Sequence, residues 1–133
     1  MSTLKVNTIQ NASGNHSSTP EEIAKGRAKA WVNFDGTFGT SPFTEANGGI
    51  RDSFNVSSIT DNGTGNYDVT FSISFPNADY CFLGSAGNGH NFPGHCTMRT
   101  KNNNNINIRT SGLNVSGGTH TDASQTSVVI FAD

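Results

Sequence analysis

Hydrophobic and polar residues alternate most clearly in the segment NYDVTFSISF, residues 66–75. An alternation with a period of two residues is typical of a β-strand, because successive side chains point to opposite faces. One face is then buried and the other is solvated, which indicates an antiparallel sheet. The residues on the predicted buried face are Tyr67, Val69, Phe71, Ile73 and Phe75. Pro76 is predicted to end this strand because proline has no amide hydrogen to donate.

Further strand-like segments follow one another from residue 29 onward. They are KAWVNFD (29–35), IRDSFNVSSI (50–59), DYCFLGSA (79–86), HCTMRTK (95–101), INIRTS (106–111) and QTSVVIF (125–131). Asn62-Gly63 predicts a tight hairpin at 60–66, and the Asn run 102–105 predicts a second hairpin. About six or seven short strands at this spacing predict an all-β fold, a small antiparallel β-sandwich. We expect its core to contain Phe54, Phe71, Ile73 and Val129.

A short helix is predicted directly before the strands. Thr19 can cap its first turn, Pro20 fits the first helical position, and Glu22 completes a capping box. Gly26 is expected to end the helix after about one and a half turns. The predicted organisation is therefore an arm (residues 1–19), a short helix and linker (20–28), and a β-sandwich domain (29–133).

The arm contains an alternating segment with Leu4, Val6 and Ile9. A segment of this length cannot bury its own apolar side chains, so we expect these three residues to dock on another subunit or protein. A disordered terminus is the alternative.

Charge and composition exclude several function classes. Charged residues make up 14% of the chain and the formal net charge is −2, so no electrostatic attraction to nucleic acid is expected. No apolar run approaches the roughly 18 residues of a membrane helix, and no segment is typical of a signal peptide. We therefore expect no nucleic-acid partner and no membrane insertion.

Candidate chemistry is sparse. His90, His95 and Cys96 are residue types that bind zinc or iron, but their spacing matches no strong metal motif, so we predict no metal and no cofactor. The carboxylates are scattered along the chain, which gives no paired acid and base for catalysis. We therefore expect the protein not to be an enzyme.

The two long predicted loops are candidate recognition surfaces, because loops on a rigid sheet often carry binding residues. They cover residues 36–48 and 87–94. Aromatic rings and an amide side chain within them suit a sugar ligand. The candidate ligand-binding residues are Phe38, Phe43, His90, Asn91 and Phe92. The alternative is that these rings pack the loops together or form a subunit interface.

Several segments resemble one known family. AWVNFDG, IRDSFNVSSITDNGTGNYDVTFSISFPNADYCFLGSA, INIRTSG and TDASQTSVVIF are similar to a small β-sandwich domain of tailed-phage adhesion proteins. That domain occurs in tail fibres and related virion appendages, including those of phages of marine cyanobacteria. The segment STLKVNTIQNASG also resembles the N-terminal arm of such proteins.

The resemblance implies a non-enzymatic bacteriophage virion structural protein, tail-fibre or appendage-like, assembled in the host cytoplasm. It implies a homotrimer that contacts other virion proteins, with host-surface polysaccharide as the ligand of the two loops. The alternative is a capsid-decorating protein without a receptor role. Assembly in a reducing cytosol favours free thiols at Cys81 and Cys96. The alternative is a disulfide between them, because the two residues flank one loop.

Overall fold

The computed structural model describes residues 2–15, 17–88, 93–112 and 119–133. It contains one helix and eight strands within these ranges. They are α1 (Pro20–Gly26), β1 (Ala30–Phe34), β2 (Ile50–Phe54), β3 (Val56–Asp61), β4 (Asn66–Phe71), β5 (Cys81–Gly87), β6 (Pro93–Lys101), β7 (Asn105–Gly112) and β8 (Gln125–Phe131). The all-β prediction is confirmed.

All eight strands belong to one antiparallel sheet with the order β2-β1-β8-β5-β6-β7-β4-β3. The two edge strands, β2 and β3, follow each other in the chain and are separated by one residue, Asn55. The sheet therefore curls until its edges approach each other, giving a nearly closed, barrel-like architecture. The predicted sandwich of six or seven strands is wrong.

The predicted single strand 50–59 is broken at Asn55. Its backbone has a φ of 55°, a left-handed conformation that asparagine tolerates better than most residues. The Asn55 side chain accepts a hydrogen bond from Ile73 N at 2.7 Å and donates to the carbonyls of Lys29 and Ile73, both at 3.1 Å. These bonds stabilise the turn and connect it to the segments that flank β1 and β4.

The core lies inside the curled sheet. Its buried hydrophobic residues are Ala30, Val32, Phe34, Phe43, Ile50, Ile59, Tyr67, Val69, Phe71, Phe75, Tyr80, Ile106, Ile108, Val128 and Ile130. Strand β1 alternates between the two faces, because Ala30, Val32 and Phe34 are buried and the residues between them are half-buried. The same alternation buries Tyr67, Val69 and Phe71 in β4.

The core prediction is right for Phe71 and wrong for Phe54 and Ile73, which are 53% and 74% exposed. The cause at Phe54 is a register shift: Phe34 pairs with Ile50, whereas Asn33 pairs with Asp52. One extra residue in β2 turns Phe54 to the outer face. Ile73 follows the end of β4. Val129 is half-buried, because the inward positions of β8 are Thr126, Val128 and Ile130.

Helix α1 confirms the predicted capping box. Glu22 N donates to Thr19 Oγ1 at 3.2 Å, and Thr19 N donates to the Glu22 carboxylate at 2.7 Å. No residue of α1 is buried. The preceding arm folds back once, since Ile9 and Ser18 exchange two backbone hydrogen bonds of 2.8 Å.

Both predicted hairpins are confirmed. The β3–β4 turn places Gly63 and Gly65 at φ values of 108° and 64°, which favour glycine. In the β6–β7 turn, the Asn102 side chain accepts hydrogen bonds from the backbone amides of Asn104 and Asn105. Local sequence signals were sufficient for these two turns.

The strand directions give the sheet two different ends. The connections 35–49, 62–65 and 119–124 lie at one end, which we call the loop end. Helix α1, the β2–β3 junction and residues 72–80 lie at the opposite end, which we call the arm end. Strands of five to nine residues separate the two ends, a distance of roughly 20 Å at about 3.3 Å per residue.

Candidate functional site

The loop end holds Phe38 and Phe43, two of the residues predicted to bind a ligand. Phe43 is fully buried, and its ring lies 6.2 Å from that of Phe34 and 6.1 Å from that of Tyr67, measured between centroids. Phe38 is half-buried and packs edge-on against Phe43 at 5.6 Å. The ring of Phe43 therefore packs the loop against the core and has no exposed face for a ligand in this structure.

The backbone around Phe43 closes the gap between the two sheet edges. Phe43 N donates to Ile59 O at 2.7 Å, and Ile59 N donates back to Phe43 O at 3.0 Å. On the other side, Ile50 N donates to Thr44 O at 3.1 Å. Residues 43–44 therefore connect β3 to β2, and we call this segment the seam.

The seam depends on a glycine and an asparagine beside it. A Cβ atom at Gly49 would lie 2.7 Å from the Cβ of Phe43, so a larger residue there would displace the ring. Asn47 Oδ1 accepts hydrogen bonds from Thr44 N at 2.9 Å and from Gly49 N at 3.1 Å. These contacts hold much of loop 36–48 against the sheet.

A hydrogen-bonded centre at Asp122 joins three more segments of the loop end. Asp122 Oδ1 accepts from the Tyr67 hydroxyl and from Gly65 N, both at 2.7 Å, and Gly36 O lies 3.0 Å from the same hydroxyl. Burial, and then the Asp122 carboxylate, raise the pKa of Tyr67 above its usual range. The sequence analysis treated Asp122 as one of several scattered carboxylates and did not predict that it would connect these segments by hydrogen bonds.

Three other predicted ligand residues, His90, Asn91 and Phe92, lie outside the described residues. In the adjacent strand β6, His95 is exposed, and burial raises the pKa of the Cys96 thiol to about 12. Cys81 and Cys96 are both free thiols, with Cys81 exposed. Across the described ranges, no three His, Cys, Asp or Glu side chains gather in a way that could hold a metal ion.

The predicted docking residues lie at the arm end and face solvent. Leu4 is 86% exposed and Ile9 is 53% exposed, while Val6 is more covered. Together with Ile23 of α1 they line an open groove. The prediction that these side chains lack sufficient partners within the chain agrees with these exposures.

A second groove at the arm end was not predicted from the sequence. It has a volume of about 540 Å³, and its lining includes Phe54, Ile73 and Phe75 together with Arg27 and Lys29. This groove could not be predicted because the alternating strand pattern placed Phe54 and Ile73 in the core. Both belong to the surface of the arm end.

No helix within the described ranges is long and apolar enough to span a membrane. Comparisons with protein-family models, with curated proteins and with solved structures found no match to this chain. The functional assignment therefore depends on the geometry of the two ends and on the sequence resemblance.

Proposed function

We propose that this chain is a non-enzymatic structural subunit of a tailed-phage virion, of the tail-fibre or appendage type. The observation that carries the proposal is the placement of the exposed arm residues and of loop 36–48 at opposite ends of one sheet. A subunit that attaches through one end and presents the other outward needs this arrangement. The resemblance of nearly the whole sequence to phage adhesion domains supplies the class of particle.

The rigidity of the loop end supports a presenting role. The seam and the Asp122 centre connect loops 36–49 and 119–124 to the strands through backbone and side-chain hydrogen bonds. Loops held in this way lose little conformational entropy on binding, which favours recognition of host-surface polysaccharide. Half-buried Phe38 and residues 87–94 are the candidates for that contact.

A capsid-decorating subunit without a receptor role is the second candidate. The complete burial of Phe43 favours it, since one of the aromatic faces expected to stack on a sugar is part of the core. Both candidates attach through the arm end, so they differ only in what the loop end contacts.

The experiment that tests the proposal locates the protein on phage particles. Gold-labelled antibody against the chain should decorate virions in electron micrographs, at the tail for an appendage or over the head for a decorating protein. Absence of the protein from purified particles, checked by mass spectrometry, would contradict the proposal. Binding of purified full-length protein to host polysaccharide separates the candidates, with Phe38→Ala tested against Thr37→Ala as the neighbouring control.

The proposal includes assembly as a homotrimer, as the resemblance implies. Light scattering on the full chain at micromolar concentration should give three times the mass of the 14.0 kDa subunit. A monomer at that concentration would contradict the trimer but not the virion location.

A further inference from the structure

Two connections at the loop end contain an asparagine followed directly by a glycine. Asn47-Gly48 lies between β1 and β2, and Asn62-Gly63 lies in the β3–β4 turn. An Asn-Gly pair is chemically reactive, because glycine has no side chain to keep its backbone nitrogen away from the asparagine amide carbon. All four residues are exposed to water. A third such pair, at 88–89, extends beyond the described residues.

The reaction open to such a pair is deamidation. The glycine nitrogen attacks the side-chain carbonyl carbon of the asparagine, and a new C–N bond closes a succinimide ring. The glycine amide proton passes through water to the side-chain nitrogen, which leaves as ammonia. Water then opens the ring at either carbonyl group, giving aspartate or isoaspartate. The attack needs an asparagine side chain that can turn toward the next backbone nitrogen.

Asn47 is held in place by three hydrogen bonds of its side chain. Its Oδ1 accepts from Thr44 N and Gly49 N at 2.9 and 3.1 Å, and its Nδ2 donates to Pro42 O at 2.9 Å. All three partners are backbone groups of the same loop, so the side chain is fixed to the seam and its surroundings. These bonds must break before the amide carbon can be attacked.

Asn62 is held by a single hydrogen bond. Its Nδ2 donates to Asp68 Oδ2 at 2.8 Å, and this is the only hydrogen bond of the Asn62 side chain among the described residues. Because Asn62 is exposed, water can replace that bond at little cost. The Asn62 side chain is therefore much less restricted than the one at Asn47.

The attacking nitrogen is hydrogen-bonded in both pairs and does not distinguish them. Gly48 N donates to Glu45 O at 3.1 Å, and Gly63 N donates to Asp61 Oδ1 at 2.8 Å. The difference therefore lies in the side chains, where the pair at 47–48 has two additional hydrogen bonds. If both must break first, two bonds of ordinary strength slow the reaction by about 30-fold.

We propose that Asn62 is a site of deamidation in the folded protein and that Asn47 is protected from it. The inference is independent of the proposed function. The reaction replaces the amide that donates to Asp68 with a carboxylate, so two negative charges face each other. Isoaspartate also adds a backbone carbon to the turn that holds Gly65 N against Asp122. The modified protein therefore has one more negative charge and a weakened β3–β4 turn.

Peptide mapping of the full-length protein tests the proposal. The protein is incubated at mildly alkaline pH, where hydroxide accelerates the attack, and digested at intervals. Mass spectrometry detects the gain of about one mass unit, and fragmentation separates Asn62 from the pair at 88–89. In the folded protein, Asn62 should convert about 30-fold faster than Asn47. In urea both side chains lose their partners, so the two rates should become similar.

Two results of this experiment would overturn the inference. The first is conversion of Asn62 no faster than that of Asn47 in the folded protein. The second is a difference between the two rates that persists in urea, because it would then come from the local sequence and not from the folded structure.

The effect on the turn has its own measurement and a matched control. Fully converted protein should have a Tm about 4 °C lower than fresh protein. Asn62→Gln should keep its Tm through the same incubation, because glutamine would have to close a larger ring. Asn77→Gln, at an exposed asparagine followed by alanine, should lose Tm as the unsubstituted protein does. An equal loss of Tm in Asn62→Gln would contradict the weakened turn. None of these results bears on the proposed function, which fails if the protein is absent from virions.

Discussion

Replacing Phe43 with alanine distinguishes a role of this side chain in core packing from a role in ligand binding. The side chain is fully buried and its ring contacts those of Phe34, Phe38 and Tyr67 at centroid distances of 5.6–6.2 Å. Phenylalanine-to-alanine changes in cores cost about 3–5 kcal/mol. Phe43 also lies in the seam, so we expect about 4 kcal/mol. For a chain of 133 residues this corresponds to a fall in Tm of about 10–20 °C.

The assay is thermal and urea denaturation of the full-length protein, followed by circular dichroism. Phe38→Ala is the matched control, because Phe38 belongs to the same loop but is half-buried. Its loss should cost only about 1 kcal/mol. A Phe43→Ala protein with unchanged Tm but impaired polysaccharide binding would refute the packing role and restore the ligand-binding hypothesis.

Two further predictions concern the buried hydroxyl and thiol groups. Tyr67→Phe should lower the free energy of unfolding by about 1.5–3 kcal/mol, because it removes the hydrogen bond to the Asp122 carboxylate; a loss below 0.5 kcal/mol in urea denaturation would contradict it. Burial raises the pKa of Tyr67 and raises the pKa values of Tyr80 and Cys96 to about 12, so these groups resist ionisation only when folded. The ionisation of these groups should therefore leave the free energy of unfolding unchanged near neutral pH. The free energy of unfolding should fall as the pH rises above about 9, because the same groups ionise first in the unfolded chain. A flat profile between pH 8 and 11 would contradict that reasoning.

Features set by local sequence could be predicted, and features set by strand pairing could not. The capping box at Thr19 and Glu22 and the turn at Gly63 depend on residues a few positions apart, so their patterns are readable. The face of Phe54 depends on a bulge opposite Asn33, about 20 positions away in the chain. Closure of the sheet depends on Asn55 and on the seam, for which a single sequence carries no periodic signal. The hydrogen bonds of Asp122 could not be predicted, because its partners Gly65 and Tyr67 are more than 50 positions away in the chain.

The same long-range features decide where a binding surface can be. In an open sandwich, the edge strands could pair with an arm from another molecule, and loop 36–48 could move freely to meet a ligand. Here residues 43–44 connect one edge to the other, which anchors that loop and limits strand addition. The bulge that moves Phe54 outward also pairs it with Trp31 on the outer face of the sheet. One register shift thus removes an aromatic residue from the core and adds it to the exposed surface of the arm end.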